Sequence, residues 1–373
     1  MRILHVLRAP VGGLFRHVLD LSAEQGARGH EVGILADSNA EDRLTAAKFA
    51  AVAPDLKLGI LRTPMSRQPG LGDITAARTV FAHARRLKLD VLHGHGAKGG
   101  AYARLAARGL QRDGQTVKAF YTPHGGSLNF KPGSLEGRVF LGLERMLERF
   151  TAGLIFESAY AQRVYRERVS SAEVPYRIVP NGLQPDDFER ASADPQAADI
   201  LFVGELRAIK GVNVLLAAIA ALNAERSVPV QAVIVGSGPE AENFKALARD
   251  LGLQNDVSFP GALVARHAFG LGRVMVVPSL AESFPYVVLE AAAAGLPLVS
   301  TNVGGIPEII AGTDTVLIEP GNVTELSAAL NTVFADPAAA RARAERLRDN
   351  VAAKFTVAGM TSAVLDFYGA ARR

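Results

Sequence analysis

Two stretches hold charged residues whose spacing points to chemistry on an anion. The first is Gly204-Glu205-Leu206-Arg207-Ala208-Ile209-Lys210-Gly211, which follows the apolar run 200–203 and precedes a helical pattern. Arg207 and Lys210 would sit in the turn at a strand's carboxyl end, where two cations beside a helix start suit a diphosphate. A solvated basic turn fits the same spacing, and both readings stay open. The second is Glu282-Ser283-Phe284-Pro285-Tyr286-Val287-Val288-Leu289-Glu290, followed by Ala-rich sequence to Gly295. Pro285 suits an early helical position and Gly295 a C-terminal cap. Glu282 is then expected just before a helix and Glu290 in its second turn. N–H groups near Phe284–Tyr286 can hold an anion, and a flanking carboxylate can accept sugar hydroxyls. An acidic helix start is common without any ligand. Glu290, set among Val and Ala, is harder to explain so, because a buried carboxylate needs a partner.

Two glycine turns have weaker signals. Gly12-Gly13 follows the first apolar run and opens a helical pattern, and Gly236-Ser237-Gly238-Pro239 follows the run ending at Val235. Such turns let backbone N–H groups approach a phosphate, although a tight turn alone explains them. The dinucleotide fingerprint is incomplete, because position 17 is His where the third Gly is required.

Short buried-type strands alternate with helix-length segments, which is the pattern of parallel α/β sheets. Strands are expected at 2–7, 31–36, 90–95, 117–122, 153–157 and 177–179. Helices fit 74–87, 97–108, 159–168 and 134–150, the last with Leu135, Val139, Leu143 and Leu147 at helical spacing. The alternation restarts after Pro180, with strands at 200–203, 231–235, 257–259, 274–277, 298–300 and 316–318. Two successive sets imply two doubly wound domains, with binding sites at the carboxyl ends of strands. The expected division is 1–182, a linker at 183–197, a second domain at 198–353 and a closing helix at 354–373.

Composition excludes several classes. The 373 residues are 49% hydrophobic and 21% charged, enough apolar surface to fold rather than stay disordered. There is no Cys, so no disulfide scaffold, thiolate metal site or cysteine nucleophile exists. No stretch has the length of a membrane span, and the first residues do not form a secretory leader. A cytoplasmic location is the resulting expectation. Residues 1–180 carry a balance of +10 and the remainder −6. A basic first half suits an anionic glycan or an anionic membrane surface. Nucleic acid is not expected as a partner, because the cations are scattered and Trp is absent.

The order Gly-Gly, Gly-x-Leu-x-x-x-Lys-Gly, then Pro-Ser-x-x-Glu-x7-Glu-Ala-x-Ala-x-Gly-x-Pro-Leu-Val resembles the retaining glycosyltransferases of family four, of GT-B fold. His93-Gly94-His95, Thr122-Pro123-His124-Gly125, Pro180-Asn181-Gly182 and Gly304-Gly305-Ile306-Pro307-Glu308 extend the resemblance over nearly the whole chain. It implies two Rossmann-like domains facing a central cleft, with a C-terminal helix crossing back to the first. It implies a donor that is a nucleotide-diphospho-sugar and transfer of a hexose with retention. Arg207 and Lys210 would bind the diphosphate, Glu290 the ribose hydroxyls and Glu282 the hexose, with the backbone at Phe284 and Pro285 alongside. Gly12, Gly13, Gly236 and Gly238 would approach the donor, and His124 would line the site near the transferred sugar.

No cofactor or metal is expected. Asp-x-Asp is absent, and His93 and His95 are assigned to opposite faces of their strand, which would keep them from sharing an ion. The acceptor is expected to be an anionic or lipid-linked glycan in cell-surface polysaccharide synthesis (lipopolysaccharide or exopolysaccharide), with peripheral attachment to the inner membrane face. The segment 129–132 and the helix to Phe150 are the candidate acceptor surface. A non-catalytic nucleotide-sugar-binding protein and a sugar-nucleotide epimerase are the alternative readings.

Overall fold

The computed structural model describes residues 1–39, 43–125, 133–169 and 174–371. The chain divides into two compact units, Met1–Gly182 with Val357–Arg373, and Leu183–Thr356.

The first unit contains β1 (Arg2–Leu7), α1 (Gly12–Ala27), β2 (Glu31–Asp37), α2 (Arg43–Val52), β3 (Gly59–Thr63), α3 (Gly72–Leu87), β4 (Val91–His95), α4 (Gly96–Arg112), β5 (Lys118–Thr122), α5 (Leu135–Glu148), β6 (Gly153–Phe156), α6 (Ala159–Arg168) and β7 (Tyr176–Ile178). Its sheet has the order β3-β2-β1-β4-β5-β6-β7, and the pairs are parallel. β1, β2 and β4 are buried almost throughout, as strands covered on both faces must be. The order reverses direction between β1 and β4, which opens a crevice at their carboxyl ends. Neither α2 nor β3 is among the elements expected from sequence. β3 is the edge strand, only partly buried, so its residues lack the continuous apolar signature of the central strands.

The second unit contains β8 (Ala198–Val203), α7 (Val212–Glu225), β9 (Ala232–Val235), α8 (Ala241–Asp250), β10 (Val257–Gly261), α9 (Ala265–Ala268), β11 (Gly272–Val277), α10 (Tyr286–Ala293), β12 (Leu298–Thr301), α11 (Ile306–Ile310), β13 (Val316–Ile318), α12 (Val323–Ala335) and α13 (Pro337–Lys354). Its parallel sheet runs β10-β9-β8-β11-β12-β13, with the reversal between β8 and β11. Residues 183–197, read from sequence as a linker, belong to this unit. Leu183 is buried with Phe355 in its core, and Arg348 donates to Phe188 O at 3.0 Å.

The last helix, α14 (Val357–Ala370), packs in the first unit. Val357, Met360, Val364, Phe367 and Tyr368 join Ile3, Leu21, Val91, Phe120 and Ile155 in one apolar cluster. Gly153, the first residue of β6, lies so close to α14 that a Cβ there would be 2.6 Å from the Phe367 ring. Among the described residues, no helix is long and apolar enough to cross a membrane.

Candidate functional site

In the second unit, the turn after β8 and the loop after β11 lock together at the reversal. Leu280 N–H donates to Ile209 O at 2.8 Å, and the same turn is held to the loop after β9 by Leu206 N–H, which donates to Ser237 O at 2.9 Å. Gly211, at φ +70°, starts α7 so close to the loop that a Cβ would lie 1.9 Å from Pro278 O. Gly304, at φ +60°, would set a Cβ 1.9 Å from Glu282 O. Only glycine permits either approach. Gly236 and Gly238 back onto Gly204 and Leu206 in the same manner. Thr301 Oγ1 donates to Ser279 O at 2.6 Å and ties β12 to the loop.

This framework brings Lys210 and Glu282 together across 72 positions of sequence. Lys210 Nζ donates to Glu282 Oε1 at 2.6 Å, and Ser279 Oγ donates to the same oxygen at 2.7 Å. The two side chains are 25% and 9% exposed. Sequence spacing placed one on a phosphate and the other on a sugar, and did not show that they pair. Ser279 is the serine of the Pro-Ser-x-x-Glu pattern, which gave it no role of its own, and it stands just after the end of β11. Arg207 lies nearby in the chain with a half-exposed side chain, 3.7 Å from Glu205. Pro285 is the N-cap of α10 rather than a residue inside it, because its ψ of 124° is extended. The Phe284 side chain is buried in the core with its ring 5.6 Å from that of Phe355, so its backbone is what borders the loop. Glu290 is half-buried on α10. That helix closes on a Schellman turn, with Gly295 N–H donating to Ala292 O and Leu296 N–H to Ala291 O.

In the first unit, Gly12 at φ +62° starts α1, and both it and Gly13 are exposed. Below that turn the reversal is filled by five of the chain's eight histidines, namely His5, His17, His93, His95 and His124. His93 and His95 do not point to opposite faces. Their rings lie 4.0 Å apart, because residues two apart on a strand share a face. His5 Nδ1 meets His95 Nε2 at 2.9 Å, and His95 Nδ1 meets His124 Nε2 at 3.0 Å. His5 Nε2 meets Gln25 Oε1 at 2.8 Å, and His17 Nδ1 meets Asn181 Oδ1 at 2.9 Å. His93 is held by two hydroxyls, Thr122 Oγ1 at 2.9 Å and Tyr368 OH at 2.6 Å. Burial is the main cause that pushes all five well below the usual imidazole range. His5 falls to about 4, and His17 and His124 to about 3, the first two helped by neighbouring rings. All five are therefore neutral at pH 7. His124 has φ +50°, a left-handed backbone that a non-glycine residue adopts at a cost.

The helix expected at 134–150 is α5, and its packing departs from the sequence reading. Of the four residues at helical spacing Leu147 is buried, whereas Leu135, Val139 and Leu143 are exposed, as is Met146. Leu141, Glu144 and Glu148 are buried beside Leu147. Arg104, fully buried on α4, donates to Glu144 Oε2 at 2.6 Å, and Tyr121 OH donates to Glu144 Oε1 at 2.7 Å. A buried charge needs its partner, and that requirement sets which face of α5 turns inward. Residues 129–132 lie outside the described residues.

Two doubly wound units, the second with glycine-framed cationic and acidic groups at its reversal, make up the two-domain architecture of GT-B glycosyltransferases. The family model for glycosyl transferases group 1 matches residues 184–353, and that for glycosyltransferase family 4 matches residues 11–187. The chain belongs to this glycosyltransferase family. Glycogen synthase of Mycobacterium tuberculosis is 29% identical to it, over 97% of this chain and 92% of that protein. Sucrose-phosphate synthase from Thermosynechococcus elongatus has the same fold, with a TM-score of 0.80 at 22% identity over 99% of each chain. Anabaena Alr3699/HepE, solved in complex with UDP and glucose, superposes with a TM-score of 0.82 at 19% identity over 99% of this chain and 100% of that one.

Proposed function

We propose that this protein transfers a hexose, with retention, from a nucleoside-diphosphate sugar to a glycan or lipid-linked acceptor in cell-surface polysaccharide synthesis. The observation that supports this best is the Lys210–Glu282–Ser279 cluster in the glycine-framed reversal of the second unit. Glycosyl transfer builds negative charge on the departing diphosphate, and preorganised cations and amides stabilise it. Lys210 has three N–H donors, one of which Glu282 takes, so the others suit phosphate oxygens. Arg207, half-exposed in the same turn, suits the diphosphate as a bidentate donor. Glu282 suits the hexose hydroxyls and Glu290 the ribose, with backbone N–H groups at Phe284, Pro285's successor Tyr286, Gly236 and Gly238 bordering the donor. In the first unit, Gly12 and Gly13 would offer N–H groups to a phosphate. Retention follows if the acceptor oxygen attacks C1 on the face from which the diphosphate leaves. The C1–phosphate oxygen bond breaks, the acceptor–C1 bond forms, and the departing phosphate takes the acceptor proton.

UDP is the first nucleotide to try, since the similar Anabaena protein is solved with it. The test is a thermal-shift titration with UDP, GDP, ADP and NAD, without added metal. A ligand that binds only the folded form raises the midpoint. Stabilisation by UDP or GDP, lost in Arg207→Ala, is expected. Stabilisation by NAD alone would overturn the reading.

The exposed apolar stripe of α5, flanked by exposed Arg138 and Arg149, supports peripheral docking on an anionic membrane surface, in line with the basic balance of residues 1–180. Binding to anionic liposomes at low salt is expected, and indifference to them would remove this part.

A further inference from the structure

We propose that the histidine cluster of the first unit is a binding site for one divalent transition-metal ion of the Zn²⁺ class, held by His17 Nε2, His95 Nδ1 and His124 Nε2. The proposal goes beyond the donor reading, which invokes no ion. One nitrogen from each of these three residues lies within 4.8 Å of the other two. The closest pair, His95 Nδ1 and His124 Nε2, is at 3.0 Å. Ligand nitrogens in a tetrahedral zinc site stand about 3.3 Å apart, so a modest approach of the His17 ring completes the set. Three imidazoles with no thiolate are the donor set that zinc and its neighbours in the transition series prefer.

Proton accounting singles out these nitrogens. Gln25 Oε1 can only accept, so His5 carries its proton on Nε2 and accepts at Nδ1. His95 must therefore donate from Nε2 to His5, which leaves His95 Nδ1 with a bare lone pair. Without an ion, His124 donates from Nε2 to that lone pair. Its own bare Nδ1 then faces the Glu157 carboxylate, an acceptor, at 3.8 Å. Asn181 Oδ1 likewise accepts from His17 Nδ1, and the remaining His17 Nε2 is fully buried with no hydrogen-bond partner. An orphaned buried acceptor is costly.

One cation removes both mismatches. It takes the His17 Nε2 lone pair, and it replaces the proton between His95 and His124. His124 then carries its proton on Nδ1, directed at Glu157. Every ligand ring would donate its outer N–H to an acceptor, namely Asn181, His5 or Glu157, as metal-bound histidines characteristically do. The other close trio, His5, His93 and His95, is less suited, because both nitrogens of His93 already meet hydroxyls. The three ligands come from α1, β4 and the segment after β5, so an ion would cross-link the reversal.

The experiment titrates the full-length, chelator-dialysed protein with Co²⁺ and follows visible d–d absorption, then displaces Co²⁺ with Zn²⁺ and reads the melting temperature. The expected result is one Co²⁺ per chain, displaced by one Zn²⁺, with a Zn²⁺-dependent rise in Tm. Both signals are lost in His17→Leu and in His124→Gln, and either variant that melts cooperatively suffices. A His30→Ala/His83→Ala/His267→Ala variant, which removes the three histidines outside the cluster, keeps them. Absence of the band at saturating Co²⁺, its survival in a folded His17→Leu or His124→Gln protein, or its loss in the triple variant would each overturn the site. The UDP thermal shift in the chelator-dialysed protein reports the donor site separately, so failure of either reading is seen apart from the other.

Discussion

The two sheet reversals solve the same geometric problem with opposite electrostatics. In the second unit the crevice holds a paired Lys210 and Glu282 and a half-exposed Arg207, framed by glycines that bring backbone close. In the first unit the crevice is filled by desolvated rings that burial keeps neutral. A partly solvated ion pair can exchange partners with an incoming diphosphate. A desolvated neutral cluster cannot take up a proton without paying its burial, so it presents lone pairs and N–H groups of fixed polarity. The same chain topology therefore yields a site suited to anions in one place and a site suited to neutral or metal chemistry in the other.

The contrast breaks most sharply where the first unit does bury charge. Glu144→Ala leaves Arg104 charged and unpaired in the core, and is expected to cost about 3–5 kcal/mol by urea unfolding. A loss under about 1 kcal/mol would mean that Arg104 reaches water or another partner.

On the charged side, Lys210→Ala and Glu290→Ala should each lower kcat/KM by a factor of about 100 to 1,000, as expected for about 3–4 kcal/mol of transition-state stabilisation. Activity within a few fold of the wild type in both would move the donor site elsewhere. Gly211→Ala tests the frame rather than the charge. A Cβ at 1.9 Å from Pro278 O, on a left-handed residue, should cost roughly 2–3 kcal/mol and weaken UDP binding.

Acid tests the neutral side. The folded-state values of His5, His17 and His124 lie below the unfolded value of 6.5, so the unfolded chain binds more protons. Stability is then full above pH 6.5 and falls as pH drops towards about 4 for His5 and 3 for the other two. The Tm should decline steadily between pH 6.5 and 5. A flat profile would show that the cluster is wetter or already charged.

The smallest stability effect belongs to α5. Val139→Ser and Leu143→Ser, on the exposed face, should change stability by less than about 0.5 kcal/mol while reducing binding to anionic liposomes. A large loss of stability would mean that this face is covered.

Much of the fold was legible because its central strands are buried on both faces and read as unbroken apolar runs. Ile200–Val203, Val274–Val277 and Leu298–Ser300 were placed within a residue or two of β8, β11 and β12. β3 was missed because an edge strand lacks that signature, and β10 was read short because it ends in Pro260-Gly261. The glycine turns were legible as turns. The pairing of Lys210 with Glu282 was not, because it joins two loops through a carboxyl-end crevice that only the strand order creates.

By itself, then, the sequence determined the alternation of elements, the glycines at the two reversals and the charged residues near them, since each depends on local period and backbone conformation. Tertiary structure decided two things. It gathered His5, His17, His95 and His124 from separate elements into one cluster. It turned Glu144 of α5 inward beside Leu141 and Leu147 and left Leu135, Val139 and Leu143 exposed, because Arg104 buried on α4 requires Glu144. Local spacing carries no information about a partner brought up from another element, and burial, which sets both charge state and facing, is a property of the assembled fold.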